Sequence, residues 1–181
     1  QIAALSTADV TMFSTADMAA IISKAITGLS TSAVAALSTD QVAALSTGAI
    51  SNLTTAQIAA MGTAQIGALA TAQIAALKAA QIAGMSTNAI TALSTAQIAA
   101  LSTGATASLN TAQVASLSTA QAEALSSDQV KALTSLQLSI LGADDIATFS
   151  TADIAAITVS AVSGLSTSVL SSLSTDQVAA L

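Results

Sequence analysis

Large apolar residues recur along this chain with a period of eight. In blocks of eight counted from Gln1, the fifth position is apolar in every block, from Leu5 to Leu181. The second position is Ile, Val, Leu or Met everywhere except at Thr106 and Ala122. The consensus block is Gln-Ile-Ala-Ala-Leu-Ser-Thr-Ala, and it runs without insertion or deletion. The pattern predicts a single continuous octad-repeat array over residues 1–181, made of 22 units plus five residues.

The eight-residue period is typical of a short helix that restarts in each octad. In a β-strand, the two apolar positions of an octad would point to opposite faces, because they lie three residues apart. In one continuous α-helix, the apolar stripe would drift by about 80° per octad and wrap around the whole helix. A short helix keeps both residues, such as Ile98 and Leu101, on one face.

The polar positions supply a start signal for each of these helices. Ser-Thr-Ala-Gln fits a capping box, in which Ser94 at the N-cap accepts from the N3 amide while Gln97 at N3 reaches back to the N-cap amide. Acidic residues give an independent indication, because negative charge is favoured in the first helical turn. All eight aspartates fall at the N2 or N3 position of an expected helix: Asp9, Asp17, Asp40, Asp128, Asp144, Asp145, Asp153 and Asp176.

These signals predict an all-α fold, a solenoid of short capped helices with one helix per eight-residue repeat. A helix of about seven residues is not stable alone, because nucleation is costly. Stability is therefore expected from the stacking of neighbouring helices, as in other solenoids. The number of octads in each coil is left open by the sequence.

A longer repeat is superimposed on the octads. Residues 9–45 and 145–181 align at an offset of 136 residues, or seventeen octads, with 24 identities in 37 positions. The irregular features match as well: Phe13 aligns with Phe149, and these are the two aromatic residues of the chain. We therefore interpret 9–45 and 145–181 as equivalent parts of a 136-residue superrepeat. Since the chain begins at Gln1 without a signal-peptide pattern, it is expected to be a mature protein or a segment of a longer one.

The composition argues against most enzyme chemistry. The chain contains no His, Cys or Arg, three Lys and nine acidic residues, and its net charge is −6. It therefore lacks an imidazole base, a thiolate and the usual ligands of zinc or iron–sulfur sites. Nucleic-acid binding is not expected, because little positive charge is available to neutralise phosphates. A membrane span is not expected either, since Ser, Thr or Gln interrupts even the apolar stretch 64–85.

Few residues qualify as candidate sites. Asp144 and Asp145 could contact a divalent cation or act as an acid–base pair, but their place in a first helical turn favours a structural role. Lys24, Lys78 and Lys131 are isolated and are expected to be solvated, although Glu123 and Lys131 could pair across neighbouring coils. We therefore expect no enzyme, and no catalytic, cofactor-binding or metal-binding residues.

The tandem units resemble known repeat regions. Stretches such as Leu93–Ala100, which reads Leu-Ser-Thr-Ala-Gln-Ile-Ala-Ala, resemble the octapeptide repeats of very large bacterial secreted and surface proteins that are adhesin-like. This resemblance implies an extracellular or cell-surface location. Residues 174–178 also resemble the start of the first helix in TAL-type DNA-binding repeats, but the second helix and basic face of those repeats are missing, so no DNA-binding residues are implied.

Three functions are compatible with the sequence. The scarcity of charge favours a structural extracellular repeat protein whose copies assemble into a filament or sheath, since soluble monomers usually carry far more surface charge. One alternative is a stalk or spacer of a giant bacterial adhesin that does not assemble. A second is a solenoid that binds ice or another surface through a ladder of Thr. The expected partners are copies of the chain itself, with no nucleic acid, membrane span or small-molecule substrate.

The two octads without a large apolar residue (an anchor) at the second position also predict a locally less stable part of the array. Thr106 and Ala122 lie two octads apart, so residues 104–127 are expected to be the softest part of the array.

Overall fold

The chain folds entirely into short helices. A computed structural model describes residues 2–181, and within that range it contains 21 α-helices, two 3₁₀-helices and no β-strand. The predicted fold class, a solenoid of short helices with one helix per octad, is confirmed.

The helices follow one another at intervals of about eight residues. The 3₁₀-helices are Ile2–Ala4 and Ala25–Gly28. The α-helices are α1 (Thr7–Thr11), α2 (Thr15–Ala20), α3 (Thr31–Ala35), α4 (Thr39–Ala44), α5 (Thr47–Asn52), α6 (Thr55–Ala60), α7 (Thr63–Gly67), α8 (Thr71–Ala75), α9 (Ala79–Ala83), α10 (Thr87–Thr91), α11 (Thr95–Ala99), α12 (Thr103–Ala107), α13 (Thr111–Ala115), α14 (Thr119–Glu123), α15 (Ser127–Ala132), α16 (Ser135–Ile140), α17 (Ala143–Ala147), α18 (Thr151–Ala156), α19 (Val159–Val162), α20 (Thr167–Ser172) and α21 (Thr175–Ala180).

Each regular helix begins at the predicted cap. At α11, the Ser94 hydroxyl accepts from the Gln97 amide at 3.2 Å, and Gln97 Oε1 accepts from the Ser94 amide at 2.7 Å. The N-cap residue has an extended backbone, with φ −70° and ψ 163°, so the chain changes direction there. Most helices contain five or six residues rather than the expected seven, and all eight aspartates lie in first turns as predicted.

Three octads form one coil. Helix α12 packs on α9, which lies 24 residues earlier, and on α15, which lies 24 residues later. The same spacing relates the other neighbouring helices, so the helices stack in three columns. Column 1 contains α1, α3, α6, α9, α12, α15, α18 and α21; column 2 contains α2, α4, α7, α10, α13, α16 and α19; column 3 contains α5, α8, α11, α14, α17 and α20.

The core is a continuous strip of the two apolar positions of each octad. The second-position residues Ile66, Ile74 and Ile82 are fully buried, and fifth-position leucines such as Leu69 and Leu77 are almost so. Thr106 and Ala122 are also fully buried, although they are smaller. The Thr106 hydroxyl donates to the Ser102 carbonyl at 3.2 Å, so its burial leaves no unpaired donor.

The second-position residues are not buried in the last coil. Leu170 and Val178 occupy the second position but are 41% and 53% exposed. Their counterparts one coil earlier, Ile146 and Ile154, are fully buried. The difference arises because no further coil within residues 2–181 covers these two side chains.

Two helices depart from the regular geometry. The 3₁₀-helix Ala25–Gly28 starts at Lys24 without a side-chain cap, and α19 starts at Thr158 without one. Both irregularities lie in the segments that align at an offset of 136 residues. The superrepeat itself stays a prediction.

Candidate functional site

The most distinctive polar feature of the fold is a ladder of buried glutamines that joins successive coils. Gln113 in α13 has no exposed surface. Its Oε1 accepts from the Asn110 amide at 2.8 Å, which completes the capping box of its own helix. Its Nε2 donates to the carbonyls of Ile82 and Met85 in the preceding coil, at 2.8 and 2.9 Å. One side chain therefore both starts a helix and fastens it to the coil before.

This arrangement repeats at every glutamine in residues 2–181. In each case Nε2 donates to the carbonyl 28 residues earlier, at 2.6–2.9 Å. A second carbonyl 30 or 31 residues earlier also accepts from Nε2. The residues of this glutamine ladder are Gln41, Gln57, Gln65, Gln73, Gln81, Gln97, Gln113, Gln121, Gln129, Gln137 and Gln177.

The inter-coil role of the glutamines was not predicted, although the sequence carries a signal for it. A capping box accepts Glu as readily as Gln at N3, because only an acceptor is needed. The single glutamate, Glu123, lies elsewhere in its octad, and no N3 position holds Glu. An amide can accept from the cap and also donate to a neighbouring carbonyl, whereas an ionised carboxylate can only accept. The preference for Gln is therefore explained by the second hydrogen bond.

The ladder also holds helices whose cap residue has no hydroxyl. Gly62, Ala70 and Lys78 occupy N-cap positions without a side-chain cap. Their backbone amides still donate to a glutamine Oε1, at 2.8, 2.8 and 2.7 Å. A helix can therefore start without a side-chain cap when its N3 glutamine accepts from the N-cap amide through Oε1 and donates to the preceding coil through Nε2.

Aspartate at N3 caps its helix but cannot donate to a carbonyl. The hydroxyls of Ser6 and Ser14 donate to Asp9 and Asp17, each at 2.7 Å. These hydrogen bonds, together with those from the serine backbone amides, hold the pKa of both carboxyls below the usual range. Asp153 differs, because its Oδ1 accepts from the Ser127 hydroxyl of the preceding coil at 2.6 Å.

The sequence-predicted candidate residues are not brought together into a site. Asp144 is exposed, and Asp145 accepts from the Gly142 amide at 3.2 Å, as a residue of a first helical turn does. No group of three or more His, Cys, Asp or Glu side chains in residues 2–181 is arranged to hold a metal ion. Lys24, Lys78 and Lys131 are exposed, as predicted.

The expected pairing of Glu123 with Lys131 across neighbouring coils is wrong. Residues that face each other across coils are 24 positions apart, whereas these two are eight apart and belong to successive helices, α14 and α15, of different columns. Glu123 instead borders a shallow open groove between coils, together with Thr95, Ala120 and Ala124.

The outer surface includes the positions that start each helix and the third position of the octad, such as Ala99. In a regular octad the N-cap, N1 and N2 residues are exposed, while the N3 glutamine and the two anchors are buried. Threonine at N1 forms uninterrupted rows over residues 15–111 of column 2 and over residues 47–119 of column 3. Column 2 carries Thr15, Thr39, Thr63, Thr87 and Thr111, and column 3 carries Thr47, Thr71, Thr95 and Thr119; all of these are exposed except Thr87, which is half-buried.

Within residues 2–181, none of the helices has the length and apolar character required to cross a membrane.

Comparison with known proteins identifies the repeat. The profile of the ALTTAQ repeat family matches residues 12–47, 42–71, 66–103 and 107–135. The last five letters of that family name match Leu-Thr-Thr-Ala-Gln at residues 53–57, which run from a fifth-position residue to the N3 glutamine of the next helix. No curated protein has a significant match to the chain.

Proposed function

The chain belongs to the ALTTAQ repeat family, and we propose that it is a structural extracellular repeat protein whose copies assemble side by side or end to end into a filament or sheath. The observation that supports this proposal is the surface of the solenoid. Its exposed N-cap, N1 and N2 positions are mainly Ser, Thr and Ala, and charged residues make up 7% of the chain. Soluble monomeric domains usually carry about 25–35% charged surface, which keeps copies apart.

The repetition of the surface favours self-contact. Three octads per coil place equivalent small side chains at regular intervals along each column. Two such columns can approach closely, because Ala, Ser and Thr project little and bring few charges to desolvate. A contact made by one coil is then repeated along the whole array, so many weak contacts add up.

The scarcity of reactive and basic side chains extends the proposal. We propose that the chain is not an enzyme, that it binds no nucleic acid or small-molecule substrate, and that it is located outside the cell or on its surface. Supporting observations for the first two points are the missing imidazole and thiol groups and the three isolated lysines.

Assembly is tested by introducing charge on one column without disturbing the helices. Ala72, Ala96 and Ala120 are exposed N2 residues of α8, α11 and α14 in column 3. A triple Ala→Glu variant at these positions adds negative charge where the first helical turn tolerates it. The matched control is the triple Ala→Gln variant, which has side chains of the same size without charge.

The measurements are sedimentation velocity and negative-stain microscopy at increasing protein concentration. Regular fibres from the parent chain and the Gln control, with shorter or no fibres from the Glu variant, are expected. Single short rods from the parent chain at all concentrations would contradict assembly and support the alternative of a stalk or spacer.

A second candidate function is binding to ice or another regular surface. It is favoured by the unbroken threonine rows of columns 2 and 3, which repeat one hydroxyl and one methyl group per coil. The quadruple Thr→Ser variant at 47, 71, 95 and 119 removes the methyl groups of one row and keeps the hydroxyls. Thermal hysteresis and faceted ice growth that the variant loses would support this candidate, and smooth ice growth with the parent chain would eliminate it.

A further inference from the structure

The glutamine ladder has one long interruption. Between Gln137 and Gln177, four consecutive N3 positions hold Asp145, Asp153, Ala161 and Val169. One coil contains three octads, so these four octads cover more than a complete coil. That coil lies on the preceding coil without any hydrogen bond from a glutamine side chain. The other interruptions within residues 41–144 each affect one octad with a ladder glutamine on both sides, and they occur at Ala49, Ala89 and Ala105.

The polar contacts across this interface are correspondingly few. By the spacing of the ladder, the side chain at position 145 faces the carbonyl of Leu117 and that at 153 faces the carbonyl of Leu125. An aspartate cannot donate to either of them. The interface keeps the hydrogen bond between the Ser127 hydroxyl and Asp153 Oδ1. It is otherwise held by the apolar strip, to which Phe149, 3% exposed, contributes a larger side chain than the usual Leu.

The same turn is fastened to the helix of the next coil. Gln177 donates to the Phe149 carbonyl at 2.7 Å and to the Ala147 carbonyl at 3.3 Å. The N3 positions of residues 9–40 also lack Gln, and Gln41 of the next coil donates to the Phe13 carbonyl at 2.7 Å. Both glutamine-free runs are thus tied to the coil after them.

We propose that the interface in front of residues 145–176 is a seam, at which the solenoid opens as a unit before the coils of residues 41–144 separate from one another. The seam divides the array into blocks held internally by amide hydrogen bonds and joined to each other by apolar packing. Bending or extension of the rod is thereby directed to one defined turn. This device does not depend on whether the chains assemble.

The test is native-state hydrogen exchange of the 181-residue chain, followed by mass spectrometry at increasing sub-denaturing concentrations of guanidinium chloride. Amides of 145–176 are expected to exchange together, with one shared denaturant dependence and faster than those of 113–141. The double variant Asp145→Gln, Ala161→Gln introduces two glutamine side chains that can donate to carbonyls of the preceding coil across the seam. It is expected to slow exchange of 145–176 by about tenfold, from the usual contribution of a few hydrogen bonds.

The matched control is Asp17→Gln, which makes the same type of change at an N3 position with no residues 28 or 31 positions earlier in this chain. It is expected to leave exchange of 145–176 unchanged. Three results would overturn the proposal. They are gradual fraying from residue 181 without a shared transition, opening of 145–176 together with 113–141, and exchange in the double variant that is no slower than in the parent chain. Earlier opening of residues 104–127, the softest stretch predicted from the sequence, would overturn it as well.

Discussion

Replacing one ladder glutamine by glutamate separates its two roles. In Gln113→Glu, a carboxylate oxygen can still accept from the Asn110 amide, so the helix keeps its capping box. The other oxygen takes the place of Nε2 and faces the carbonyl oxygens of Ile82 and Met85, at the 2.8 and 2.9 Å that Nε2 now spans. The site is fully buried, so water cannot relieve the contact. We expect a large loss of stability from a change of a single group.

The magnitude follows from the protonation of that carboxyl. The Ile82 carbonyl also accepts from the Met85 amide at 3.1 Å, so it keeps one partner. Keeping an ordinary Glu carboxyl, with a pKa of about 4.3, protonated at pH 7 costs about 3.7 kcal/mol. The neutral acid then donates to one of the two carbonyls, which limits the penalty. The free energy of unfolding should therefore fall by about 3–4 kcal/mol at pH 7.

The loss of stability should depend on pH with a definite sign. Burial among carbonyl oxygens raises the pKa of the introduced carboxyl above its value in the unfolded chain. The folded state then binds more protons, so the penalty is small below about pH 4.3 and grows as the pH rises through the raised pKa.

The assay is urea unfolding followed by circular dichroism between about pH 4 and pH 7, a range over which the carboxyl ionises in the unfolded chain but stays protonated in the folded one. The control is Asp17→Glu, which carries a carboxylate at N3 where no preceding coil exists in this chain, and it should change stability by less than about 0.5 kcal/mol. A Gln113→Glu variant as stable as the control, or one whose loss does not grow with pH, would refute the inter-coil role of the glutamines.

Individual contacts support three further predictions. Gly164→Ala should destabilise the chain, because a Cβ at 164 meets the Ser135 backbone. Gly104→Ala should be neutral or stabilising by about 0.5–1 kcal/mol, because a Cβ at 104 meets no atom within 4 Å. Thermal unfolding compares the two variants. Ser14→Ala should raise the pKa of Asp17 toward its usual value, because it removes the hydroxyl that stabilises the carboxylate. The stability that Asp17 contributes in the parent chain is present above about pH 3.9 and is lost as the pH falls. A carboxyl NMR titration, with Asp9 as internal reference, measures the shift. Ile98→Ala should cost about 2–5 kcal/mol in chemical unfolding, since Ile98 is fully buried in the continuous strip, whereas Ala99→Ser on the exposed face of the same helix should cost little.

Local chemistry made much of the fold predictable. The two apolar positions of each octad, the Ser94–Gln97 type of capping box and the aspartates of first turns are all short-range features, and the sequence places them correctly. The number of octads per coil could not be predicted in this way. It depends on how far the chain turns between helices, and that angle is set by packing between residues 24 positions apart.

The same limit explains why the glutamine ladder was missed. The half of Gln97 that caps its own helix is a contact over three residues, whereas its Nε2 reaches the Leu69 carbonyl 28 residues away. That partner can be identified only once the coil is known. The pairing of Glu123 with Lys131 failed for the same reason, because it assumed that adjacent octads are adjacent coils.

The fold rests on coils of three octads that are joined by glutamine amides. Nuclear Overhauser contacts from the side-chain amide of Gln113, in a chain labelled selectively at that residue, test both features most directly. We predict contacts with Met85 and Ile82, 28 and 31 residues earlier. Contacts with Leu93 instead would indicate two octads per coil and contacts with Leu77 four, and either result would contradict a coil of three.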